Sequence, residues 1–407
     1  MWSIKPYKSP PSECPECKHC NGGFKQYSFV GAQILGNGSC EACGCTYYHN
    51  WPIAHGADYP VTYSNRGKWN YSIKARWLAE PMIRTIKNDG RINAKIKRTI
   101  RKPITNVFLL NCLDVCYGHV LWKLFNAGFY QHLAGSQGLV VLIPENCAWL
   151  VPDYAAEIWA VEIELPKINL QIQSITTFIN KVSDQYQSIE VLPVLTHIDH
   201  QTIKLEQFIR QPPFQLNDFS RRPFCITFIW REDRFWLRSQ LEQWLNLLSI
   251  KFSIELMRRW FRWRQVKTMT QVARLIQREI DEVTITIVGI GTSGKFPSFI
   301  RDLRQRDINP KVEAQWCEQY SNSHLVIGVH GSNMLIPTAL AAGYIALLPK
   351  YKLPFITEDI LMKHPSRFQT FLGRHLDLFS SSQSIASHAT SMLNDFEYLY
   401  RNTTATP

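Results

Sequence analysis

Nowhere in its 407 residues does the chain offer about 18 uncharged apolar residues in a row, short of the roughly 20 that a membrane-spanning helix needs. It does not open on a secretory signal either, because residues 1–11 hold three prolines and no apolar run. It contains no internal repeat and no low-complexity tract, which excludes a repeat array. These absences predict a cytoplasmic protein. Disorder is excluded for the bulk of the chain by a composition that is 45% hydrophobic and 12% aromatic. The length suits two domains of medium size and an appendage.

Acidic residues are missing from two stretches. Residues 91–102 (RINAKIKRTIRK) hold six basic side chains and no acid, and residues 251–278 hold eight against the single Glu255. These two patches account for the whole formal charge of +12, so the rest of the chain is near neutral. Charge confined in this way argues against a nucleic-acid-binding body, although a zinc-ribbon nucleic-acid-binding protein is one alternative.

Cysteine is sparse after residue 45, yet six of the eleven fall before it, in CPECKHC and CEACGC. Pairs two residues apart, separated by about 20, are the sequence form of a zinc ribbon. Cys14, Cys17, Cys40 and Cys43 are the expected ligands, with Gly44 allowing the second turn. Cys20 and Cys45 are spares, and Cys17 with Cys20 is an equally spaced first pair; His49 and His55 are weaker candidates. A reducing cytosol opposes the disulfide alternative. A four-cysteine site is closed, so the zinc is expected to be structural. Cys112, Cys116, Cys147, Cys225 and Cys317 lie in apolar surroundings and read as core.

From Pro103 onward, strand and helix signals alternate. NVFLLN (106–111), GLVVLIP (138–144), IWAVEIEL (158–165) and VLPVLTHI (191–198) read as strands, with helical stretches at 117–133 and 169–186. After a linker at 210–223 come FCITFIW (224–230), VTITIVG (283–289), SHLVIGV (323–329) and YIALLP (344–349). The rhythm predicts an α/β protein with two Rossmann-like domains behind a small zinc-ribbon-like module. The boundaries expected are 1–60 for the module, 61–100 for a basic connector, 101–220 and 221–380 for the two domains, and 381–407 for a C-terminal helix and tail.

Two glycine-rich segments follow strands. In GIGTSGKF, Gly289, Gly291 and Gly294 match a dinucleotide fingerprint, which makes an NAD(P)-dependent oxidoreductase another alternative. Phe296 replaces the Ser or Thr that an ATPase loop needs, and no acid closes a following strand at the required distance. A strand-end loop with Gly291 and Lys295 remains, suited to phosphate or to a turn. In HLVIGVHGSNMLIPTALAAGYIALLP, a buried strand ends at His330-Gly331, and Ser332 and Asn333 open a helix. Such a helix start presents backbone amides to a diphosphate, or is simply capped by Ser332 or Asn333.

GVHGSN, with the helix, Ala-Gly turn and strand after it, resembles the donor-site segment of GT-B glycosyltransferases. It is particularly similar to the GVHG signature of glycosyltransferase family 61, which typically continues Ala-Gly-Leu where this chain has Ser332-Asn333-Met334. The resemblance implies an inverting transfer from a nucleotide-sugar donor to a glycan or glycolipid acceptor, without an obligatory metal. On it, His330, Gly331, Ser332 and Asn333 hold the donor. Arg231 and Arg234, which follow the first strand of the second domain, pair with its phosphates. Asp114 and His119, on a strand-to-helix loop of the first domain, offer the base that takes the acceptor proton. His119 also matches a family 61 histidine loosely.

Between 251 and 278 a helix is expected to set Leu256, Met257, Trp260, Phe261 and Trp263 on one face and Arg258, Arg259 and Arg262 on the other, with Arg264 interrupting the apolar side. A cationic amphipathic helix of this kind suits an anionic membrane surface, making the protein peripheral at the inner face; a core-packing helix with a solvated basic face is the other reading.

Overall fold

The structure, a computed structural model, describes residues 12–21, 26–30, 33–51, 54–88, 94–134, 137–170 and 172–404. The N-terminal segment 1–11 and part of the first basic patch (91–93) lie outside these residues, as do the side chains of Cys20 and His55. The chain divides into two compact units between Phe208 and Ile209.

The first unit opens with two short antiparallel strands, β1 (Ser12–Glu13) and β2 (Cys20–Asn21). A five-stranded antiparallel meander follows: β3 (Gln26–Val30), β4 (Gln33–Ser39), β5 (Thr46–Asn50), β6 (Val61–Ser64) and β7 (Trp69–Tyr71). The helix Arg76–Asn88 packs on this sheet through Ala79 and Met82, joined by Ala75 just before it, against Leu35 and Val61. Phe29, Ile34 and Trp51 instead join Val107, Leu109 and Val140 in one core, so the cysteine-bearing module shares its interior with the sheet that follows.

That second sheet has the order β12-β9-β10-β11-β8, with β8 (Lys95–Ile100), β9 (Asn106–Asn111), β10 (Gln137–Pro144), β11 (Glu157–Glu162) and β12 (Ser188–Val191). Four of its strands are parallel, and β8 closes the edge antiparallel to β11. Residues 95–100, read from the sequence as connector, are thus an edge strand whose alternate charges face solvent. Inward-leaning Arg98 pairs with the buried Glu157 at 2.8 Å. The strand expected at 191–198 ends at Val191. Pro193 has no amide to donate, and the Asn126 side chain clamps Leu195 through its N–H and C=O, both at 2.9 Å, so the segment becomes an anchored loop.

The second unit holds β13 (Phe224–Trp230), β14 (Val283–Gly289), β15 (Ile300–Asp302), β16 (Leu325–Val329), β17 (Gly343–Leu348) and β18 (Gly373–Asp377). All pairings are parallel, and the order is β15-β14-β13-β16-β17-β18. Counted from β13, this is the doubly wound order 3-2-1-4-5-6. Both faces are covered by helices, which is why β16 and β17 are buried at every position and read as continuous apolar runs. Local signals set the helix starts: Asn309 caps Pro310–Ser321 by accepting from the amides of Lys311 and Val312 at 3.0 and 3.1 Å. The segment 210–223 belongs to this unit, where Phe219 stacks on Phe396 with ring centroids 3.8 Å apart. The chain ends in two helices, Ser382–Asn394 and Phe396–Thr404. The chain is therefore α/β, with two Rossmann-like sheets behind a small cysteine-rich module.

Candidate functional site

In an open doubly wound sheet, neighbouring strands whose crossovers run in opposite directions leave a crevice beyond their C-terminal ends. In the second unit those strands are β13 and β16. Arg231 and Arg234 follow the first, and His330 to Asn333 follow the second. Arg234 Nη1 donates to Asn333 Oδ1 at 2.8 Å, so the two strand ends are joined by a side-chain bond. Asn333 Nδ2 also donates to the Val329 carbonyl at 3.2 Å, which fixes the amide's orientation. Gly331 sits at φ +154, and a Cβ there would fall 1.6 Å from Arg234 Nη1. Only glycine lets the guanidinium lie along the backbone at this point. Ser332–Met334 form a tight turn leading into the short helix Leu335–Leu340.

Two of the expected donor residues are held by groups of the protein itself. Arg231 is held by both oxygens of Asp233, at 2.8 and 2.9 Å, and burial of Asp233 is outweighed by Arg231, which keeps its carboxyl below the usual range. Arg231 is thus paired with a neighbouring carboxylate, whereas Arg234 bonds across to the residue that follows β16. The His330 side chain is fully buried, so it cannot meet a ligand from solvent. Its Nε2 lies 3.2 Å from the Phe355 carbonyl and 3.7 Å from Asp359, and burial lowers its basicity.

The GIGTSG loop is filled by the protein itself. Ser293 N donates to Glu232 Oε1 at 2.9 Å, and a Cβ on Gly291 would meet the Glu232 carboxylate at 2.3 Å. The buried Arg304 ties the loop down by donating to the carbonyls of Ser293 and Gly294, while lying over the ring of Trp230 at 4.5 Å. A carboxylate thus takes the amide that a bound phosphate would use. Gly291 is needed for that close approach, and Lys295 remains exposed on the loop. The dinucleotide reading of this segment loses its physical basis.

In the first unit the corresponding crevice lies between β9 and β12. Asp114 is buried there, and Lys123 Nζ donates to its Oδ2 and to the Leu113 carbonyl, both at 2.8 Å. The Cys116 amide donates to Oδ1 at 3.1 Å, and His119 Nδ1 lies 3.2 Å from the same oxygen. Burial alone would raise this carboxyl, but Lys123 and then His119 hold it well below the usual carboxylate range. Asp114 is therefore an orienting anion and a weak base, and His119 is the partly exposed member of the pair. His197, on the loop after β12, brings its ring to 6.4 Å from that of His119. The sequence reading passed over both Lys123 and His197; a lysine inside VLWKLF was the one available signal.

At the N-terminus the two cysteine turns repeat one geometry. Cys14 N–H bonds the His19 carbonyl and Lys18 N–H the Cys14 carbonyl, both at 2.9 Å; Cys40 with Cys45 and Gly44 with Cys40 do the same at 2.8 Å. Lys18 (φ +62) and Gly44 (φ +68) occupy equivalent left-handed positions. The sulfurs of Cys14, Cys17, Cys40 and Cys43 all lie within 4.8 Å of one another. Cys17–Cys40 at 3.5 Å and Cys14–Cys43 at 3.7 Å approach the ~3.8 Å edge of a tetrahedron with 2.3 Å metal–sulfur bonds. Burial opposes ionisation of Cys40, yet the amides of Cys43 and Ala42 pull its thiol down to about 6. The set fits zinc. Cys45, 3.2 Å from Cys14, is buried behind the cluster and its thiol is pushed up. His49 is occupied by Thr62 at 3.0 Å.

These features define a class: a two-unit doubly wound α/β protein with a guanidinium at the switch point of its second sheet. No protein-family model matches the chain, and no curated protein matches it. Among solved structures, the E. coli ADP-heptose LPS heptosyltransferase II is similar at 10% identity and a TM-score of 0.41, over 72% of this chain and 99% of that one. A protein named as a UDP-N-acetylglucosamine 2-epimerase from Listeria monocytogenes aligns over 70% of this chain and 66% of its own, at 11% identity and a TM-score of 0.28. The glycosyltransferase SnogD from Streptomyces nogalater aligns over 69% and 77%, at 11% and 0.26.

Proposed function

We propose that the chain is a glycosyltransferase of the two-domain type, moving a sugar from a nucleotide donor to a glycan or glycolipid hydroxyl. The observation that carries this reading is the Arg234–Gly331–Asn333 constellation at the switch point of the second sheet. A guanidinium beside a glycine and the first amides of a helical turn suits a diphosphate. In the reaction, an acceptor oxygen bonds to the anomeric carbon as the bond from that carbon to the diphosphate oxygen breaks. The leaving diphosphate keeps the electron pair, and Arg234 with the amides of Ser332 and Asn333 stabilises its growing charge. The acceptor proton needs a base, and His119, which Asp114 orients beside the counter-charge of Lys123, is the candidate in the first unit. Attack opposite the leaving group inverts the anomeric centre. The GVHGSN likeness to family 61 supports the donor assignment.

Cys14, Cys17, Cys40 and Cys43 would hold a zinc that fixes the two turns and takes no part in transfer. Calorimetry with nucleoside diphosphates and nucleotide sugars tests the reading. Binding by the wild type, weakened about 100-fold in Arg234→Ala and little changed in Arg231→Ala, is the expected result. A wild-type protein that binds none of these ligands overturns the assignment.

A further inference from the structure

Two helices, Gln240–Lys251 and Glu255–Glu279, connect β13 to β14 and meet at a turn with Ser253 at φ +52. Burial against the helix Ser382–Asn394 and the sheet accounts only for the second half of the longer helix, through Gln265, Met269, Val272, Ala273 and Ile276. Gln265 marks the level of the strand end, since its Nε2 donates to the Arg231 carbonyl at 3.0 Å and its Oε1 accepts from Trp236 N at 3.1 Å. The ten helical residues before it therefore project roughly 15 Å past the end of β13. They project at the end of the sheet that carries the Arg234 crevice.

This projecting hairpin is dressed in apolar side chains. Leu241, Trp244, Leu247, Ile250, Phe252 and Leu256 are each more than half exposed, with Leu256 at 79%. A folded chain seldom leaves so many large apolar groups together without a partner. The expected division of faces is corrected here: Phe261 turns inward alone, while Leu256, Trp260 and Trp263 stay out. Arg262 is tucked against Glu255 and Glu232 rather than solvated.

Charge decides the occupant. Glu242 is paired with Arg264, and Glu255 with Arg262 and Arg259, so the hairpin's acids are already neutralised. Lys251, Arg258 and Lys267 have no carboxylate within 4 Å among the described residues. A second copy docked about a two-fold axis would bring these same cations face to face. An anionic bilayer answers both the cations and the apolar tip, with tryptophans suited to its interface.

We infer that this hairpin docks on an anionic lipid surface, with Leu247, Ile250, Phe252 and Leu256 entering the acyl boundary and Lys251, Arg258 and Lys267 meeting lipid phosphates. No helix among the described residues is long and apolar enough to cross a membrane, so the contact is interfacial. The inference stands apart from the transferase reading. The test is cosedimentation with vesicles of phosphatidylcholine alone or mixed with phosphatidylglycerol. The protein should pellet with the mixed vesicles, less so at high salt. Phe252→Ser with Leu256→Ser, and separately Lys251→Glu with Arg258→Glu, should each lower partitioning tenfold or more at unchanged circular dichroism. The charge pair serves if the apolar pair fails to fold. Absence of binding to the mixed vesicles, equal binding to neutral ones, or indifference to the charge pair would overturn it. So would a solution dimer that the apolar pair converts to monomer.

Discussion

Arg234 reaches across from the end of β13 to Asn333 after β16, 2.8 Å away, and its guanidinium occupies the space where a side chain on residue 331 would begin. The strand order puts those two ends side by side, and the glycine keeps them close. Sequence, topology and a single missing Cβ thus converge on one crevice.

Gly331→Ala is the sharpest probe of that convergence. Its methyl group would displace Arg234 from Asn333 at a stability cost of roughly 1–3 kcal/mol, on the scale of a strained backbone position. Affinity for a nucleoside diphosphate should fall at least tenfold while the protein still melts cooperatively. Undiminished affinity in the folded variant would remove the guanidinium from the phosphate site.

The Asp114–Lys123 pair separates structure from chemistry in the first unit. Lys123→Met leaves a buried carboxylate without its counter-charge, a change that costs about 3–5 kcal/mol. His119→Gln touches only the partly exposed partner, so it should keep the fold and donor affinity while sugar transfer drops at least 100-fold. Urea unfolding and a transfer assay distinguish them. A Lys123→Met protein as stable as wild type would show the pair to be slack.

Much of this was legible in advance for one reason. Strands buried on both faces read as unbroken apolar runs, and FCITFIW coincides with β13 residue for residue. Edge and surface strands lack that mark: KIKRTI looks like a basic linker because its outward side chains are charged. The four-cysteine cluster was readable because the two turns repeat their spacing. What stayed hidden depends on where a side chain turns. Arg231 and Arg234 are indistinguishable in IWREDRFW, yet Asp233 captures the first and leaves the second for Asn333. Glu232 fills the GIGTSG loop from 61 residues away, a contact no local pattern announces.

The thiol cluster makes a prediction that discriminates among cysteines. Cys40→Ser with Cys43→Ser should release about one zinc per chain, by the four-ligand rule, and loosen the segment up to Tyr71. Cys45→Ser should retain the metal, since that thiol stands behind the ligands. Metal analysis by mass spectrometry decides it; loss of zinc in Cys45→Ser alone would move the ligand set.

Acid should act on the second unit through His324. Its ring is fully buried among Phe214, Phe219 and Phe224, with centroids 4.8 to 5.1 Å away. Nδ1 accepts from the Cys225 amide at 3.1 Å, so Nε2 carries the proton that it gives to the Phe219 carbonyl at 2.9 Å. A second proton would have to sit on Nδ1, against an N–H, in an apolar pocket. Burial accordingly lowers this imidazole to about 4. The unfolded chain protonates it near 6.5 and so binds the extra proton first. Its contribution is therefore complete above about 6.5 and is lost as pH falls toward 4, amounting to about 3 kcal/mol across that window. His49 and His375 are lowered to about 4 by burial as well, so the wild type carries their acid sensitivity in addition. The informative quantity is the difference from His324→Gln, which cannot gain that proton. The variant should be less stable than wild type at neutral pH, and the gap in urea midpoint for the second unit should narrow as pH is lowered to about 4.5. A gap that stays constant over this range would show that His324 does not couple protons to folding.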